Sequence, residues 1–436
     1  MSKSLQLIIR LLCVAAFLWT TPNGVRAEAD VWDGTSKTKP SGWKAGDATL
    51  TISTAAELAW VAETANNGTV TGSGSETGFE GCAISLSCDI DLNDQDWTPI
   101  NMFKGIFDGN KHIIKGLKVP QERGNRGLFG YVNGVTIKNL SVIISNEGIK
   151  GQYVGGIASC ADGTTTITNC CVLGGPINAR HTGNDTFAGG IIGVNNNSST
   201  TISYCYVAVS SITATLVEKY ATASAGGIVG ITKSTISIQN CLSFTTNITA
   251  TAAEGVAAKS LAGILGGGSG TLSGNYSNPL CIYTKINPDN GTIQKNVGTE
   301  GTTTNNNGAD LTTDNFNGDA GHALDGWSDQ GWTLTDGYLP KINSNTPDIP
   351  LNIVISGIGT DVNPYEVTAT NLAYIAFQIN KGTTGYNSTE HFKLANDITL
   401  PPDWTPIGTT DHPFKGTFDG DNHTVSLSLK ADLKQA

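Results

Sequence analysis

The sequence has few charged residues, and basic residues are the scarcer kind. Only 14% of the 436 residues are charged, and 26 Lys and Arg stand against 37 Asp and Glu, which gives a net charge of -11. The basic residues are scattered and form no stripe that could follow a phosphate backbone. Because surplus negative charge repels phosphates, the composition predicts that nucleic acid is not a partner.

Long apolar runs are also absent, except near the N-terminus. Residues 11–19 are apolar, which is shorter than the roughly 20 residues that a membrane-spanning helix needs. Lys3 and Arg10 flank the start of this run, and Val25-Arg26-Ala27 supplies small residues for cleavage. We therefore predict a signal peptide over residues 1–27. The mature protein is expected to be secreted or held at the cell surface, with no integral membrane span.

The short motifs of common catalytic centres are missing. The sequence has no His-Glu-x-x-His zinc motif, no Gly-x-Ser-x-Gly nucleophile elbow and no recognisable Cys-His arrangement. The acidic residues of the repeat region hold no common register; they are Glu147, Asp162, Asp185, Glu218 and Glu254. We therefore predict that the chain is not an enzyme and has no catalytic, cofactor-binding or metal-binding residues. A carboxylate pair assembled across coils, as in polysaccharide-cleaving enzymes, stays the alternative.

Two local patterns resemble parts of ligand sites. The acidic segment Asp89–Asp96 begins like a calcium loop, but Asp94 stands where such a loop needs Gly and Ile100 where it needs Glu. A carboxylate-rich turn is therefore favoured over a calcium site. His112 and His423 follow equivalent Asp-Gly turns, and we expect them to have structural roles.

What the chain does contain is a repeat carried by two motifs. The first motif recurs after 30, 35 and 36 residues, and the second after 29, 34, 37 and 36 residues. The first comprises Ile137-Lys138-Asn139-Leu140, Ile167-Thr168-Asn169-Cys170, Ile202-Ser203-Tyr204-Cys205 and Ile238-Gln239-Asn240-Cys241; the second begins at Gly127, Gly156, Gly190, Gly227 and Gly263. Two motifs that keep one period indicate stacked, equivalent coils of a solenoid.

The spacing inside the first motif predicts a bend. Ile137 and Leu140 are three residues apart, whereas side chains of a straight strand return to one face every two residues. Asn139 and its equivalents suit a turn and can hydrogen-bond along the stack. Tyr204 departs from this column and is expected to point outward. The paired glycines that begin the second motif are expected to be tight corners.

Eight cysteines remain after processing, and their positions favour packing over disulfide bonding. Cys82 and Cys88 lie in one extended segment, roughly 20 Å apart, which is too far for a disulfide. Cys170, Cys205 and Cys241 occupy the position that Leu140 holds in the first coil, so we expect a buried apolar column. A disulfide between cysteines of neighbouring coils is the alternative.

The opening of the repeat region returns near the C-terminus. Trp97-Thr98-Pro99-Ile100 matches Trp404-Thr405-Pro406-Ile407, and Leu58–Ala62 matches Leu372–Ala376. Thr54 and Glu57 form a capping-box pattern before the first of these apolar runs, which predicts a helix. We predict a signal peptide (1–27), an N-terminal cap with this helix (28–80), a β-helix (81–286), a loop and C-terminal cap in which Trp327–Lys341 covers the open end (287–346), and a partial second module (351–436).

These motifs resemble the GLUG-motif repeat family of exported bacterial surface proteins, notably of Bacteroides-like organisms. The signature stands in Gly127-Leu128-Phe129-Gly130, Gly190-Ile191-Ile192-Gly193, Gly227-Ile228-Val229-Gly230 and Gly263-Ile264-Leu265-Gly266. The resemblance covers roughly residues 50–285 and the partial copy. It implies an all-β fold, a parallel β-helix of right-handed course, and it carries no catalytic residues to this chain.

We therefore predict an adhesin-like binding protein whose β-helix presents loops or flat polar faces to a glycan or a host protein. The candidate loops are those where the distance between motifs varies: Asn178–Phe187, Asn195–Thr200 and Ala214–Ala225. A purely structural surface module and a polysaccharide-active lyase or hydrolase are the alternatives.

Overall fold

The computed structural model is an almost entirely β protein built around a parallel β-helix. It describes residues 30–67, 79–197, 199–217, 221–251, 260–279, 281–287, 292–297, 302, 304–311, 315–316, 318–335, 338–349, 359–362, 364–368, 371–381, 390–400, 404 and 406–427. The predicted fold class is confirmed. The predicted signal peptide lies outside the described residues, and the right-handed course and the domain boundaries stay predictions.

The strands are short, and nearly all of them pair in parallel with the equivalent strand of the next coil. In chain order they are β1 (Asp30–Val31), β2 (Thr49–Ile52), β3 (Ala83–Leu86), β4 (Ile90–Asp91), β5 (Ile106–Asp108), β6 (Ile113–Val119), β7 (Asn125–Arg126), β8 (Phe129–Asn133), β9 (Thr136–Gly151), β10 (Tyr153–Gly155), β11 (Ala158–Asp162), β12 (Thr165–Gly174), β13 (Ile177–His181), β14 (Thr186–Gly189), β15 (Ile192–Asn195), β16 (Thr200–Ser203), β17 (Tyr206–Val209), β18 (Ile212–Leu216), β19 (Ala223–Gly226), β20 (Val229–Thr232), β21 (Ile236–Gln239), β22 (Leu242–Ser243), β23 (Asn247–Thr251), β24 (Ser260–Ala262), β25 (Thr271–Ser273), β26 (Tyr276–Ser277), β27 (Ile282–Asn287), β28 (Thr292–Val297) and β29 (Ala309–Asp310).

One complete coil runs through β11, β12, β13 and β14, and β15 then begins the next coil. Ile167 of β12 pairs with Ile137 on one side and with Ile202 on the other. All three are fully buried, because each coil contributes one layer to a continuous core. The equivalence of coils that the motif period predicts is therefore present residue by residue.

The predicted bend lies at the asparagine column. Asn139, Asn169, Tyr204 and Asn240 all have positive φ, between 51° and 54°. Asparagine adopts this left-handed conformation more readily than most residues, which explains why it fills three of the four positions. The bend turns the next residue, such as Cys170, into the core.

The cysteine column is a packed core column. Cys170, Cys205 and Cys241 are fully buried, and all eight described cysteines are free of disulfide bonds. In the following coil Asn275 takes the same position. Its side chain donates to the Ile238 carbonyl at 2.7 Å and accepts from the Cys241 amide at 3.0 Å. The prediction of a buried cysteine column is therefore confirmed, and the alternative of a disulfide between neighbouring coils is not observed.

The predicted N-terminal helix is present as α1 (Ala55–Asn66). The Thr54 hydroxyl accepts from the Glu57 amide at 3.1 Å, and the Glu57 carboxylate accepts from the Thr54 amide at 3.2 Å. This reciprocal capping box satisfies two amides that a helix end leaves without partners. Leu58 and Val61 face inward and join the core of the first coils.

The C-terminal segment lies elsewhere than the sequence suggests. We call residues 318–335 and 338–349 the strap; it contains a 3-10 turn (Ser328–Gln330). Trp327–Lys341 was expected over the open end of the stack, but Trp327, Trp332 and Leu339 pack against the outward side chains of neighbouring coils, among them Cys171, Tyr206 and Leu242. The strap therefore covers the side of the solenoid, because those outward side chains form an apolar stripe.

A second, smaller unit repeats the start of the β-helix. It comprises β30 (Tyr365–Val367), α2 (Leu372–Lys381), β31 (His391–Leu394), β32 (Ile398–Leu400), β33 (Thr417–Asp419) and β34 (Val425–Leu427). Asn66 at the end of α1 donates to the Pro99 carbonyl at 3.0 Å, and Asn380 donates to the Pro406 carbonyl at 2.9 Å. The internal repeat read from the sequence therefore extends to individual hydrogen bonds.

No described helix is both long enough and apolar enough to cross a membrane.

Candidate binding cleft

Paired glycines bring two rows of strands together outside the main core. The rows are β10, β14 and β19 on one side and β11, β15 and β20 on the other. A Cβ on Gly155 would lie 2.1 Å from the Ala158 carbonyl oxygen, and one on Gly193 would lie 2.8 Å from the Val154 amide nitrogen. Only residues without a side chain permit this approach. The corners expected at these glycines are therefore present, and the outward side chains of the two rows face each other.

Those side chains form a small aromatic cluster that is separate from the main core. We call it the outer cleft; its residues are Tyr131, Tyr153, Cys160, Phe187, Val194 and Ile231. The rings of Tyr153 and Phe187 stack with centroids 5.3 Å apart and planes 14° apart. Phe187 is fully buried, whereas Tyr131 and Tyr153 are partly exposed. The outer cleft thus presents the partly exposed rings of Tyr131 and Tyr153 on two rows of paired strands.

A charged group closes one side of the outer cleft. Lys233 lies over the Phe187 ring with Nζ 5.1 Å from the centroid, and it pairs with Asp185 at 3.4 Å. Asp185 also accepts hydrogen bonds from the Thr222 amide at 2.9 Å and the Thr222 hydroxyl at 3.0 Å. The carboxylate therefore links the loop before β14 to the loop before β19.

Tyr131 and Asp162 form the polar part of the other side. The Tyr131 hydroxyl donates to the Asp162 carboxylate at 2.5 Å, and Asp162 also accepts from the Asn197 amide at 2.7 Å. Burial, and next the hydrogen bond to Asp162, raises the pKa of Tyr131 to about 12. The phenol therefore stays protonated at neutral pH and holds its carboxylate partner in place.

Cys160 at the floor of the outer cleft is not an activated nucleophile. Burial raises the pKa of its thiol to about 12, with the Asp162 carboxylate adding to the effect. A thiolate is the reactive form of cysteine. Cys160 therefore serves as an apolar floor residue at neutral pH.

All three candidate loops predicted from the sequence reach this site. Asn178–Phe187 contributes Asp185 and Phe187, Asn195–Thr200 contributes Asn197, and Ala214–Ala225 contributes Thr222. Ser198 and residues 218–220 within these loops lie outside the described residues. Separate variable segments therefore converge on one surface.

Sequence reasoning missed the strand residues of the outer cleft. Tyr131, Cys160, Val194 and Ile231 occupy one paired column across four coils. Each stands four residues after the first glycine of the second motif, so the column was present in the period. The role of this column could not be predicted, because outward positions of a solenoid are normally polar. These positions pack together only because of the geometry of the glycine corners.

The acidic segment Asp89–Asp96 contains a tight turn. Asn93 and Asp94 both have positive φ, and Asp91 accepts from the Asn93 amide at 2.8 Å, as in a tight carboxylate-rich turn. Among the residues described, no group of three or more His, Cys, Asp or Glu side chains is gathered as metal ligands.

The histidines have acidic neighbours that the sequence reading did not find. His112 Nδ1 lies 3.1 Å from Asp89, and His423 Nδ1 lies 3.3 Å from Asp397. Asp89 also accepts from the Ile113 amide, and Asp397 from the Thr424 amide. The repeated pair joins two strands of each module.

The fold and the cleft define a parallel β-helix protein with an aromatic surface site outside its core. No family model and no curated protein matches the chain. A solved structure that matches is described as a "putative immunoglobulin A1 protease" from Bacteroides ovatus, with 18% identity and a TM-score of 0.42 over 67% of this chain and 91% of that one. The match is too distant to support any argument about activity, and the GLUG family stays a resemblance.

One prediction is corrected beside that description, without an activity being assigned to this chain. We predicted from missing motifs that the chain is not an enzyme, whereas the matched protein carries the description "putative immunoglobulin A1 protease". The absence of known catalytic motifs is weak evidence against an enzyme, because a catalytic site can be assembled from residues of different coils. The prediction is withdrawn.

Proposed function

We propose that the chain is an exported, adhesin-like binding protein whose β-helix presents the outer cleft to a glycan or to a host protein. The observation that carries the proposal is the convergence of three variable loops on the Tyr153–Phe187 stack. Loops on a rigid scaffold are the usual carriers of binding function. Partly exposed aromatic rings with polar groups beside them suit both sugar rings and protein side chains.

The chemistry of the rim supports a polar ligand. Asp162 and Asp185 are oriented by backbone amides, and Lys233 lies between solvent and the Phe187 ring. Such fixed acceptors and donors give orientation, while the stacked rings give contact area. A ligand that displaces the Lys233 side chain would gain direct access to Phe187.

Binding of the purified protein to a glycan array and to a panel of extracellular-matrix proteins tests the proposal. We expect at least one ligand, and we expect Tyr153→Ala to weaken its binding at least tenfold. Tyr338→Ala is the matched control, because Tyr338 is exposed on the strap, away from the outer cleft. Tyr153→Phe keeps the stack and separates loss of the hydroxyl from loss of the ring.

Two results would overturn the proposal. The first is absence of binding to every member of both panels. The second is a ligand that binds the folded Tyr153→Ala and Lys233→Ala variants as tightly as the wild-type protein. Thermal unfolding of each variant shows that it is folded before binding is compared.

A further inference from the structure

The arginines of this chain lie together on one surface of the solenoid. The sequence has five arginines, and two of them fall in the predicted signal peptide. The other three are Arg126 of β7, Arg123 in the turn before it, and Arg180 of β13. Together with Lys150 of β9 we call these residues the arginine patch.

The turn that carries two of the arginines is fixed by hydrogen bonds. Arg126 Nε donates to the Arg123 carbonyl at 2.8 Å, which folds the side chain back over its own turn. The Gly124 carbonyl accepts from the Gln152 amide at 3.0 Å, so the turn lies against the end of β9 in the next coil. The position of both arginines is therefore set by the stacking of coils.

The same strand end brings the third arginine to the turn. Gly151 of β9 pairs with Ala179, the residue before Arg180. The glycine leaves room for the stem of Arg126, because an added Cβ would lie only 2.8 Å from Arg126 Cβ. Arg180 Nη1 reaches back to Glu122 in the turn, at 3.9 Å. Residues far apart in the sequence thus form one patch.

Arg126 is a partly buried cation without a carboxylate partner. Among the described residues its guanidinium makes the one hydrogen bond to the Arg123 carbonyl and no ion pair. Burial lowers the pKa of the Arg126 guanidinium, which nevertheless stays charged at neutral pH. Burial of an unpaired charge costs free energy, so an anion that pairs with Arg126 recovers part of that cost.

The patch is positive although the protein as a whole is acidic. Four cations face one carboxylate, that of Glu122, and its pair with Arg180 is loose, with side chains 63% and 56% exposed. Such an exposed pair contributes little, so an incoming anion can replace Glu122 at small cost. Carboxylates on neighbouring segments have lysine partners of their own: Glu147 pairs with Lys118, and Asp185 with Lys233.

The surface beside the patch is polar. On the outward side of β13 and β18, Asn178 pairs with Thr213 and Arg180 with Thr215. Asn178 and both threonines are partly exposed. These positions offer amide and hydroxyl groups that match sugar hydroxyls, and they lack the apolar anchors on which peptide binding usually depends. The surroundings therefore favour a saccharide over a peptide.

We propose that the arginine patch binds the sulfate or carboxylate group of an acidic saccharide. Guanidinium forks match the paired oxygens of such groups. Arg123 and Arg180 are exposed, so the site is open to a group carried by a larger molecule. A nucleic acid is disfavoured, because a net charge of -11 around a short patch repels a continuous row of phosphates. The patch shares no residue with the outer cleft.

Three kinds of variant separate the parts of this proposal. Arg126→Gln and Arg180→Gln each remove one cation, whereas Arg126→Lys keeps the charge and loses the fork. Glu122→Gln removes the internal competitor and should act in the opposite direction. Lys37→Gln is the matched control, because Lys37 is a 43% exposed lysine in an ion pair with Glu63, away from the patch.

Isothermal titration with a heparin tetrasaccharide, a hyaluronan tetrasaccharide and neutral chitotetraose tests the proposal. We expect saturable binding of at least one acidic probe, and no binding of chitotetraose at the patch. The affinity of the acidic probe should fall at least fivefold in Arg126→Gln and in Arg180→Gln, and at least twofold in Arg126→Lys. It should rise about twofold in Glu122→Gln, since the pair that it removes is weak, and stay within twofold in Lys37→Gln.

The two acidic probes distinguish the sources of the oxyanion. Tighter binding of the heparin probe assigns a sulfate, and tighter binding of the hyaluronan probe assigns a carboxylate. Thermal unfolding shows that each variant is folded before affinities are compared. Because Arg180 is exposed, Arg180→Gln remains a valid test even where Arg126→Gln disturbs the turn.

Four outcomes would overturn the proposal. The first is that neither acidic probe saturates up to about 10 mM, well above the roughly 1 mM dissociation constant of a weak site. The second is that Lys37→Gln weakens binding as much as the arginine variants, which would show a general effect of charge. The third is an equal loss in Lys233→Ala, which would place the ligand in the outer cleft. The fourth is tighter binding of an oligothymidylate than of either acidic saccharide.

Discussion

The side chain of Asn169 donates a hydrogen bond from Nδ2 to Oδ1 of Asn139 in the preceding coil, at 3.2 Å. Asn139 in turn donates from Nδ2 to the Asp108 carboxylate at 3.0 Å. The column ends in the next coil, where Tyr204 replaces asparagine, and the buried Oδ1 of Asn169 has no partner there. Polar residues at the bend therefore tie three coils together alongside the apolar core.

Replacing Asn139 separates the two roles of this column. Asn139→Ala should lower the free energy of unfolding by about 2–4 kcal/mol, because it loses two side-chain hydrogen bonds and places alanine at positive φ. Asn139→Gly loses the same bonds but tolerates the backbone, so it should cost roughly 1–2 kcal/mol less than alanine. Urea unfolding measures both. Equal losses would show that the left-handed backbone contributes nothing.

The same ladder should make stability depend on acid. Burial acts to raise the pKa of Asp108, but hydrogen bonds from Asn139 and Asn110 and the ion pair with Lys138 hold it below its ordinary value of 3.8. A carboxylate with a depressed pKa in the folded state stabilises the protein above pH 3.8, and this stability is lost as the pH falls through the lower folded pKa. The free energy of unfolding of the wild type should therefore exceed that of Asp108→Asn by most near pH 7, and by progressively less below about pH 4.

Unfolding measured from pH 7 to pH 2 checks this dependence. In Asn139→Ala the pKa of Asp108 should move upward toward its ordinary value, so the acid-induced loss should be smaller and should be complete at a higher pH than in the wild type. A constant difference between wild type and Asp108→Asn over the whole range would contradict the assignment.

The buried thiols should resist alkylation in the folded protein. Cys88 is the one cysteine among the eight described that is not buried. Burial raises the pKa of Cys281 to about 12 and that of Cys205 well above the ordinary value of 9.0, so few thiolates form near pH 8. Iodoacetamide labelling followed by mass spectrometry should mark Cys88 first, and the remaining sites only in denaturant. Rapid labelling of Cys205 in the native state would contradict the packed column.

The strap should stabilise the side of the solenoid. Trp327 is fully buried and packs on Trp332, with ring centroids 5.2 Å apart, and on Tyr204 at 6.1 Å. Trp327→Ala should cost about 3–5 kcal/mol of unfolding free energy, the usual range for a buried aromatic residue. Asp329→Ala, in the exposed 3-10 turn, should cost less than about 0.5 kcal/mol. A small effect of Trp327→Ala would mean that the strap is only loosely attached.

Inward positions were predictable from the sequence because every coil offers them the same environment. The period of the motif that contains Ile137 and Cys170 is therefore sufficient to predict the fold. The position of the strap was predicted wrongly because Trp327 packs on Tyr206, a residue more than 100 positions earlier. No local sequence pattern shows against which face of the solenoid the strap packs. The outer cleft was partly predicted: loop length pointed to Asp185, whereas Tyr131 lies in a regular strand and shows its role only through the corner.

The glycine corners provide a direct test of the outer cleft. A Cβ on Gly189 would lie 2.0 Å from the Ile192 carbonyl oxygen and 2.5 Å from the Gly230 amide nitrogen. These are backbone atoms of paired strands, so Gly189→Ala must separate the two rows and should cost about 3 kcal/mol or more. Gly134→Ala is the control: its φ is +63° but no atom lies within 4 Å of the added Cβ. It should cost only about 1–2 kcal/mol, the strain of the left-handed backbone.

Thermal unfolding measures both variants, and the fluorescence of a ligand bound at the outer cleft reports the site itself. Gly189→Ala should lower both the affinity for that ligand and the stability of the fold, whereas Gly134→Ala should leave the affinity unchanged. If Gly189→Ala proved as stable as Gly134→Ala, the two rows of strands could separate without loss. The stacked rings of Tyr153 and Phe187 would then owe their position to the loops, and the corner would have no part in forming the site.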